Sequence, residues 1–331
     1  MNKNNKLDVP SFLSEEMKKV LAFQEEMSKD AFSTEGLSYQ EIRENYIKER
    51  KYWNEGGPQM EEVSDISVPT RHGNVSVRLN YYGAQESYPC IFFIHGGGMV
   101  VGNNDTHDRI MRMLAKYSEA VVAGIDYSLS PEAKFPQALE ECTDVVLHLM
   151  KHAASYKINA DVLAFAGDSG GANLSMGIYL CLRDKGESIS PFRAMLLYYG
   201  MYGLRDSVSR KLLGGSWDGL AEEDLRFYEK MYLGDLHKSA SLYYNILESD
   251  LGDRIPPCFI VASDMDPLLD DSKVLHEVLK MKNVTSEYVE YQGALHGFLH
   301  YSKMMKDAQD AIQKGGDFFK RQWTNRGQGI V

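Results

Sequence analysis

The chain has 331 residues, 44% of them hydrophobic and 25% charged, with a formal net charge of -11. That balance leaves ample apolar material for a core and excludes wholesale disorder, while the acidic surplus argues against phosphate-backbone binding, which depends on Lys and Arg displacing counterions. No stretch approaches the ~20 apolar residues of a membrane span, the polar residues 1–10 lack a signal-peptide core, and Cys90, Cys142, Cys181 and Cys258 follow neither zinc nor disulfide-framework spacing, so a cytoplasmic protein with idle or buried thiols is expected.

No repeat, low-complexity tract or Pro/Gly-rich linker divides the chain, and one domain over 1–331 is the starting expectation. Within 14–28, Met17, Val20, Leu21 and Met27 recur near helical spacing, with Ser14 placed to cap and Glu15 and Glu16 in the first turn. A second, charged helix is predicted over 39–53. Residues 63–68 and 75–82 alternate around His72-Gly73-Asn74 and predict an antiparallel hairpin. Short apolar runs at 90–94, 120–125, 162–166, 194–199 and 258–262 read as strands covered on both faces. Helical patterns at about 105–117, 136–153, 172–183 and 267–281 lie between most of them. The alternation predicts an α/β fold, a mainly parallel sheet with helices on both faces. The interval 201–246 breaks the rhythm with extra helical material, including 221–232. With residues 1–55 it is expected to cap the carboxyl ends of the strands, where such folds bind ligands, the alternative being a surface excursion without function.

Gly167-Asp168-Ser169-Gly170-Gly171 follows the strand at 162–166 and leads into the helix beginning at Ala172, the context of a nucleophile elbow. The glycines have a steric purpose, because side chains two positions either side of Ser169 would strike neighbouring backbone at so sharp a turn. A G-x-S-x-G match alone arises by chance in about one chain in ten of this length, so the strand and helix around it carry the weight. His95-Gly96-Gly97-Gly98 directly follows the strand at 90–94 and exposes unhindered backbone N–H groups of the kind that stabilise an oxyanion. It lacks the G-K-[ST] ending of a phosphate loop and the spaced G-x-G-x-x-G fingerprint.

A serine hydroxyl needs a base, and the base needs an acceptor to hold its tautomer, with the partners following in the order Ser, acid, His. His276, His296 and His300 lie late enough. His276 falls inside the helical pattern and His300 in or at the entrance of the last helix, whereas His296 follows the strand-like 287–291 in a loop and is the preferred base. For the acid, Asp264 and Asp266 share the loop after 258–262, with Asp270 and Asp271 further into the helix. Pro267 at the first helical position would let Asp266 project from that loop, and Asp264 would then be a cap or loop stabiliser.

With these motifs assembled, the sequence resembles the hormone-sensitive-lipase branch of the α/β-hydrolases and is closely similar to its bacterial acetyl esterases. The resemblance rests also on Thr106-His107-Asp108-Arg109, the segment Asp126 to Glu132, Tyr202-Gly203-Leu204-Arg205-Asp206 and Trp217-Asp218-Gly219-Leu220. It implies Ser169 as nucleophile, Asp266 in an Asp-Pro-Leu motif as acid, His296 in a His-Gly-Phe motif as base, and an oxyanion hole from His95, Gly96, Gly97 and the amide of Gly170. Relatives commonly carry Ala where Gly170 stands. The resemblance further implies hydrolysis of short acyl esters without metal or organic cofactor, a homodimer, and inhibitory contacts with a maltose-gene activator and an α-galactosidase. Activity is expected to fall below about pH 6.5, since the base must be neutral. The rivals are a long-chain lipase and a binding or regulatory protein that has kept the fold without catalysis. Tyr127, Tyr198, Tyr199, Tyr202 and Phe298 are candidates for lining an acyl pocket, with the core as their alternative place.

Overall fold

The computed structural model describes residues 6–27, 36–215, 217, 219–235 and 241–324; residues 1–5, 28–35, 216, 218 and 236–240 of the segments considered above lie outside them. The chain begins with three helices, α1 (Val9–Phe12), α2 (Glu15–Met27) and α3 (Tyr39–Asn54). Ser14 caps α2 by accepting from the Met17 amide at 3.1 Å, as its position predicts. A reciprocal Ser38–Glu41 capping box starts α3.

The predicted hairpin forms as β1 (Glu62–Thr70) and β2 (Gly73–Tyr81), paired antiparallel. Then follow β3 (Tyr88–Ile94), α4 (Asp108–Ser118), β4 (Val121–Asp126), α5 (Gln137–Lys151), β5 (Ile158–Asp168), α6 (Gly170–Asp184) and β6 (Phe192–Tyr198). The interval that broke the rhythm contributes α7 (Val208–Leu212) and α8 (Glu222–Leu233), and the chain ends with β7 (Cys258–Ser263), α9 (Leu269–Met281), β8 (Ser286–Tyr291) and α10 (Lys306–Thr324).

The eight strands form one sheet in the order β1-β2-β4-β3-β5-β6-β7-β8. From β4 to β8 every pairing is parallel, and β2 joins β4 antiparallel. Side chains alternate across it: Phe92 and Phe165 enter one core with residues of α5, α6 and α9, while Phe93 and Ala166 enter the other with α2, α4 and α10. Both faces are therefore buried, which is why the central strands read as unbroken apolar runs. All four cysteines are buried and free. Among the described residues no helix is long and apolar enough to cross a membrane.

Three local expectations shift. The helix predicted from 105 opens as a 3₁₀ turn over Asp105–His107. Pro267 does not open α9, which begins two residues later at Leu269. His300 is not in the last helix but in a buried 3₁₀ turn, Phe298–Tyr301, ahead of it.

Candidate active site

Ser169 sits where β5 turns into α6, with φ 54° and ψ -122°, a backbone conformation costly for any residue with a side chain. The flanking glycines permit the turn. A Cβ on Gly167 would lie 2.5 Å from the Gly171 carbonyl oxygen, and one on Gly171 would lie 2.0 Å from that of Ile94. The elbow is thus pressed against the end of β3, and the register Ile94↔Gly167 sets the loop after β3 beside Ser169.

His296 follows β8, and Asp266 follows β7. Ser169 Oγ lies 2.8 Å from His296 Nε2, and His296 Nδ1 lies 2.7 Å from Asp266 Oδ2. With Asp266 ionised, Nδ1–H donates to it and leaves the Nε2 lone pair to accept from the serine hydroxyl. Asp266 is fully buried, and its other oxygen accepts the Leu268 amide at 2.7 Å. The competing candidates have other partners. Asp264 Oδ1 accepts the Gly293 amide at 2.7 Å and stabilises the loop ahead of His296. Asp271 is buried against Arg210 Nη2 at 3.1 Å, and His276 Nδ1 contacts Ser286 Oγ at 2.8 Å on α9.

The glycine loop after β3 divides its labour in a way its sequence does not reveal. The Gly96 amide donates to Asp168 Oδ1 at 2.9 Å, and His95 stacks on Tyr127 at 4.2 Å with its Nδ1 2.8 Å from the Gly96 carbonyl. Neither His95 nor Gly96 lines the cavity over Ser169, whereas Gly97, Gly98 and Gly170 do. The amides of Gly97 and Gly98 have no protein partner among the described residues. Of the residues expected at the oxyanion hole, His95 and Gly96 thus have their ring and their amide, respectively, engaged in holding the loop. Burial, aided by His107, pushes the His95 ring down to about 3 and keeps it neutral. Burial also opposes charge on Asp168, but His107 and the Gly96 amide outweigh it and hold the carboxyl below the usual range.

The cavity measures about 410 Å³ and is walled in part by residues of α2, α3 and α8, including Met17, Leu21, Tyr46, Arg50, Tyr228 and Tyr232. Tyr127, Tyr198, Tyr199, Tyr202 and Phe298 do not line it and belong to the core. The aromatic wall comes instead from the helices outside the sheet, whose Tyr46 and Tyr228 drew no attention in sequence because charged, amphipathic helices read as surface. Arg50 stands 4.7 Å over the Tyr46 ring.

A family model described as alpha/beta hydrolase fold matches residues 91–300. The chain is 46% identical to the acetyl esterase of Salmonella choleraesuis (strain SC-B67) over 319 residues, 96% of this chain and 98% of the relative. The acetyl esterase of Salmonella agona (strain SL483) matches with the same identity and coverage. Among solved structures, the Pyrobaculum calidifontis esterase in its monoclinic form superposes with a TM-score of 0.84 at 27% identity, covering 93% of this chain and 98% of that one.

Proposed function

The chain belongs to the alpha/beta hydrolase fold family and is a carboxylic ester hydrolase, and from that premise we propose that it cleaves short acyl esters, acetyl esters foremost, with Ser169, His296 and Asp266 as its catalytic triad. Ser169 Oγ attacks the ester carbonyl while His296 Nε2 takes the hydroxyl proton. The oxygen that becomes negative is met by the amides of Gly97, Gly98 and Gly170. Collapse of the tetrahedral intermediate expels the alcohol, which receives the proton from His296. Water activated by the same histidine then releases the carboxylic acid and restores the serine. The observation that carries the reading is the unbroken chain from Ser169 Oγ to His296 at 2.8 Å and on to Asp266 at 2.7 Å, assembled from the ends of three strands.

The preference for short acyl groups is supported by the cavity, whose roughly 410 Å³ lies at the small end of the about 300–1,000 Å³ of ligand pockets. We read residues 1–55 and 201–246 as the cap of a single hydrolase domain, because residues of α2, α3 and α8 line that cavity. A homodimer and contacts with a maltose-gene activator or an α-galactosidase rest on the resemblance alone, and a pulldown with Ser169→Ala protein tests them.

The test is hydrolysis of p-nitrophenyl acetate, butyrate, octanoate and palmitate by wild type and Ser169→Ala. Turnover is expected to peak on acetate or butyrate and vanish in the variant. Preference for palmitate would make the protein a lipase, and a Ser169→Ala variant as active as wild type would overturn the triad.

A further inference from the structure

Behind the elbow lies a second set of groups that the triad does not use. His107, Asp168 and His300 each bring one ligand-type atom into a common space, all within 4.8 Å of one another. The residues are 0%, 2% and 5% exposed. The contacts of His107 Nδ1 fix the orientation of its ring. Thr106 Oγ1 spends its proton on the Asn103 carbonyl at 2.8 Å. It faces His107 Nδ1 at 2.9 Å, so it must accept there, and Nδ1 carries a hydrogen. His107 Nε2 is left facing Asp168 Oδ1 at 3.3 Å, out of line for a hydrogen bond and without another partner among the described residues. A buried ring nitrogen and a buried carboxylate oxygen thus face each other without a hydrogen bond between them, and a cation held between them would engage both. The His300 ring stands edge-on to that of His107, with centroids 4.6 Å apart, and brings the third ligand-type atom to the same space.

We propose that His107, Asp168 and His300 form an inhibitory site for a zinc-type divalent cation that enters from the catalytic cavity. Two imidazoles and a carboxylate are a donor set that zinc takes, with a fourth position left to water. Zinc–ligand bonds of about 2.0–2.2 Å ask the three side chains to close by roughly 1 Å. The Nδ1–H contact with Thr106 supplies the outer hydrogen bond that orients a ligating histidine. Asp168 and His300 line the cavity above Ser169, which provides the path of entry. Inhibition follows from Asp168 having two tasks. Its Oδ1 also accepts the Gly96 amide at 2.9 Å and so holds the oxyanion loop. A metal ion that takes this oxygen loosens the loop. The inhibitory half rests on the triad reading, whereas the binding half does not.

The test begins with metal-free protein and two readouts. Co²⁺ titration is expected to give the visible absorption bands of a four-coordinate ion at one equivalent, displaced by Zn²⁺, in wild type and equally in Ser169→Ala. Zn²⁺ is expected to inhibit p-nitrophenyl acetate hydrolysis reversibly by EDTA, and His107→Gln and His300→Gln, each referred to its own metal-free rate, are expected to raise the inhibitory concentration about 100-fold or more. His148→Asn controls for a surface site, since the rings of His148 and His152 lie 4.6 Å apart. Absence of the cobalt bands in wild type, their loss in His148→Asn, or inhibition unchanged in a folded His107→Gln or His300→Gln would overturn the proposal. Should both variants fail to fold, the cobalt bands of wild type and His148→Asn decide. Should wild type prove inert toward esters, the bands still report the site while the triad reading falls.

Discussion

Gly171→Ala puts the steric logic of the elbow to its sharpest test. The added methyl would lie 2.0 Å from the Ile94 carbonyl oxygen and 2.6 Å from that of His95. Both are backbone atoms and cannot swing aside, so the start of α6 and the end of β3 must separate by about 1 Å to reach a tolerable contact. Those two segments bring Ser169 to the free amides of Gly97 and Gly98. A misplacement of about 1 Å between nucleophile and oxyanion donors costs on the order of 100-fold in rate, and the overpacking costs about 1–3 kcal/mol of stability. The assay is kcat on p-nitrophenyl acetate, with phosphonate titration to count competent Ser169 and a thermal melt. The control is Gly316→Ala on α10, whose methyl would meet Tyr117 Cβ at 2.6 Å and the Ser118 nitrogen at 2.9 Å. Both variants are expected to melt earlier, and only Gly171→Ala to lose kcat. A Gly171→Ala enzyme with kcat within about 3-fold of wild type would refute the reasoning.

Three further outcomes are expected. Asp266→Asn should lower kcat by about 10⁴, because an amide cannot hold the His296 tautomer. Asp264→Asn, which keeps an acceptor for Gly293, should stay within about 5-fold; comparable losses in the two would return the choice of acid to open. Gly170→Ala places its methyl 2.9 Å from Met99 Sδ, the movable end of a side chain, and saves about 0.4–1 kcal/mol of unfolded-state entropy. Its Tm should rise and its kcat hold, and a lowered Tm with a 10-fold loss of rate would show the site rigid. In acid, the buried His95 and His300 have folded pKa values below the unfolded 6.5, to about 3 for His95 and well below for His300. The unfolded chain therefore binds protons first, so their contribution is complete above about pH 6.5 and is lost as pH falls toward the folded values. His95 costs about 1.4 kcal/mol per pH unit in that window, about 2 kcal/mol between pH 7 and 5, and His300 acts in the same direction. Urea midpoints at the two pH values measure this, and equal midpoints would contradict it.

The amino-acid sequence by itself determined the order and type of the sheet elements and pointed to the proposed nucleophile. Apolar runs covered on both faces, and glycines spaced around Ser169 between a strand and a helix, are local signals, because the forces behind them act within a few residues. The proposed base was legible for a related reason: His296 stands in a loop after a strand, while His276 lies in α9 and His300 in a buried 3₁₀ turn. What only the tertiary structure decided was settled between residues far apart in the chain. Asp264 and Asp266 share one loop and one chemistry, and contacts with Gly293 and His296 separate them. Four consecutive residues offered oxyanion donors, and the Asp168 carboxylate, arriving from β5, takes the Gly96 amide and leaves those of Gly97 and Gly98 open. The wall of the cavity comes from Tyr46 and Tyr228 on helices whose charged faces hide their role, because helical periodicity shows that a face is apolar but not which surface it will meet.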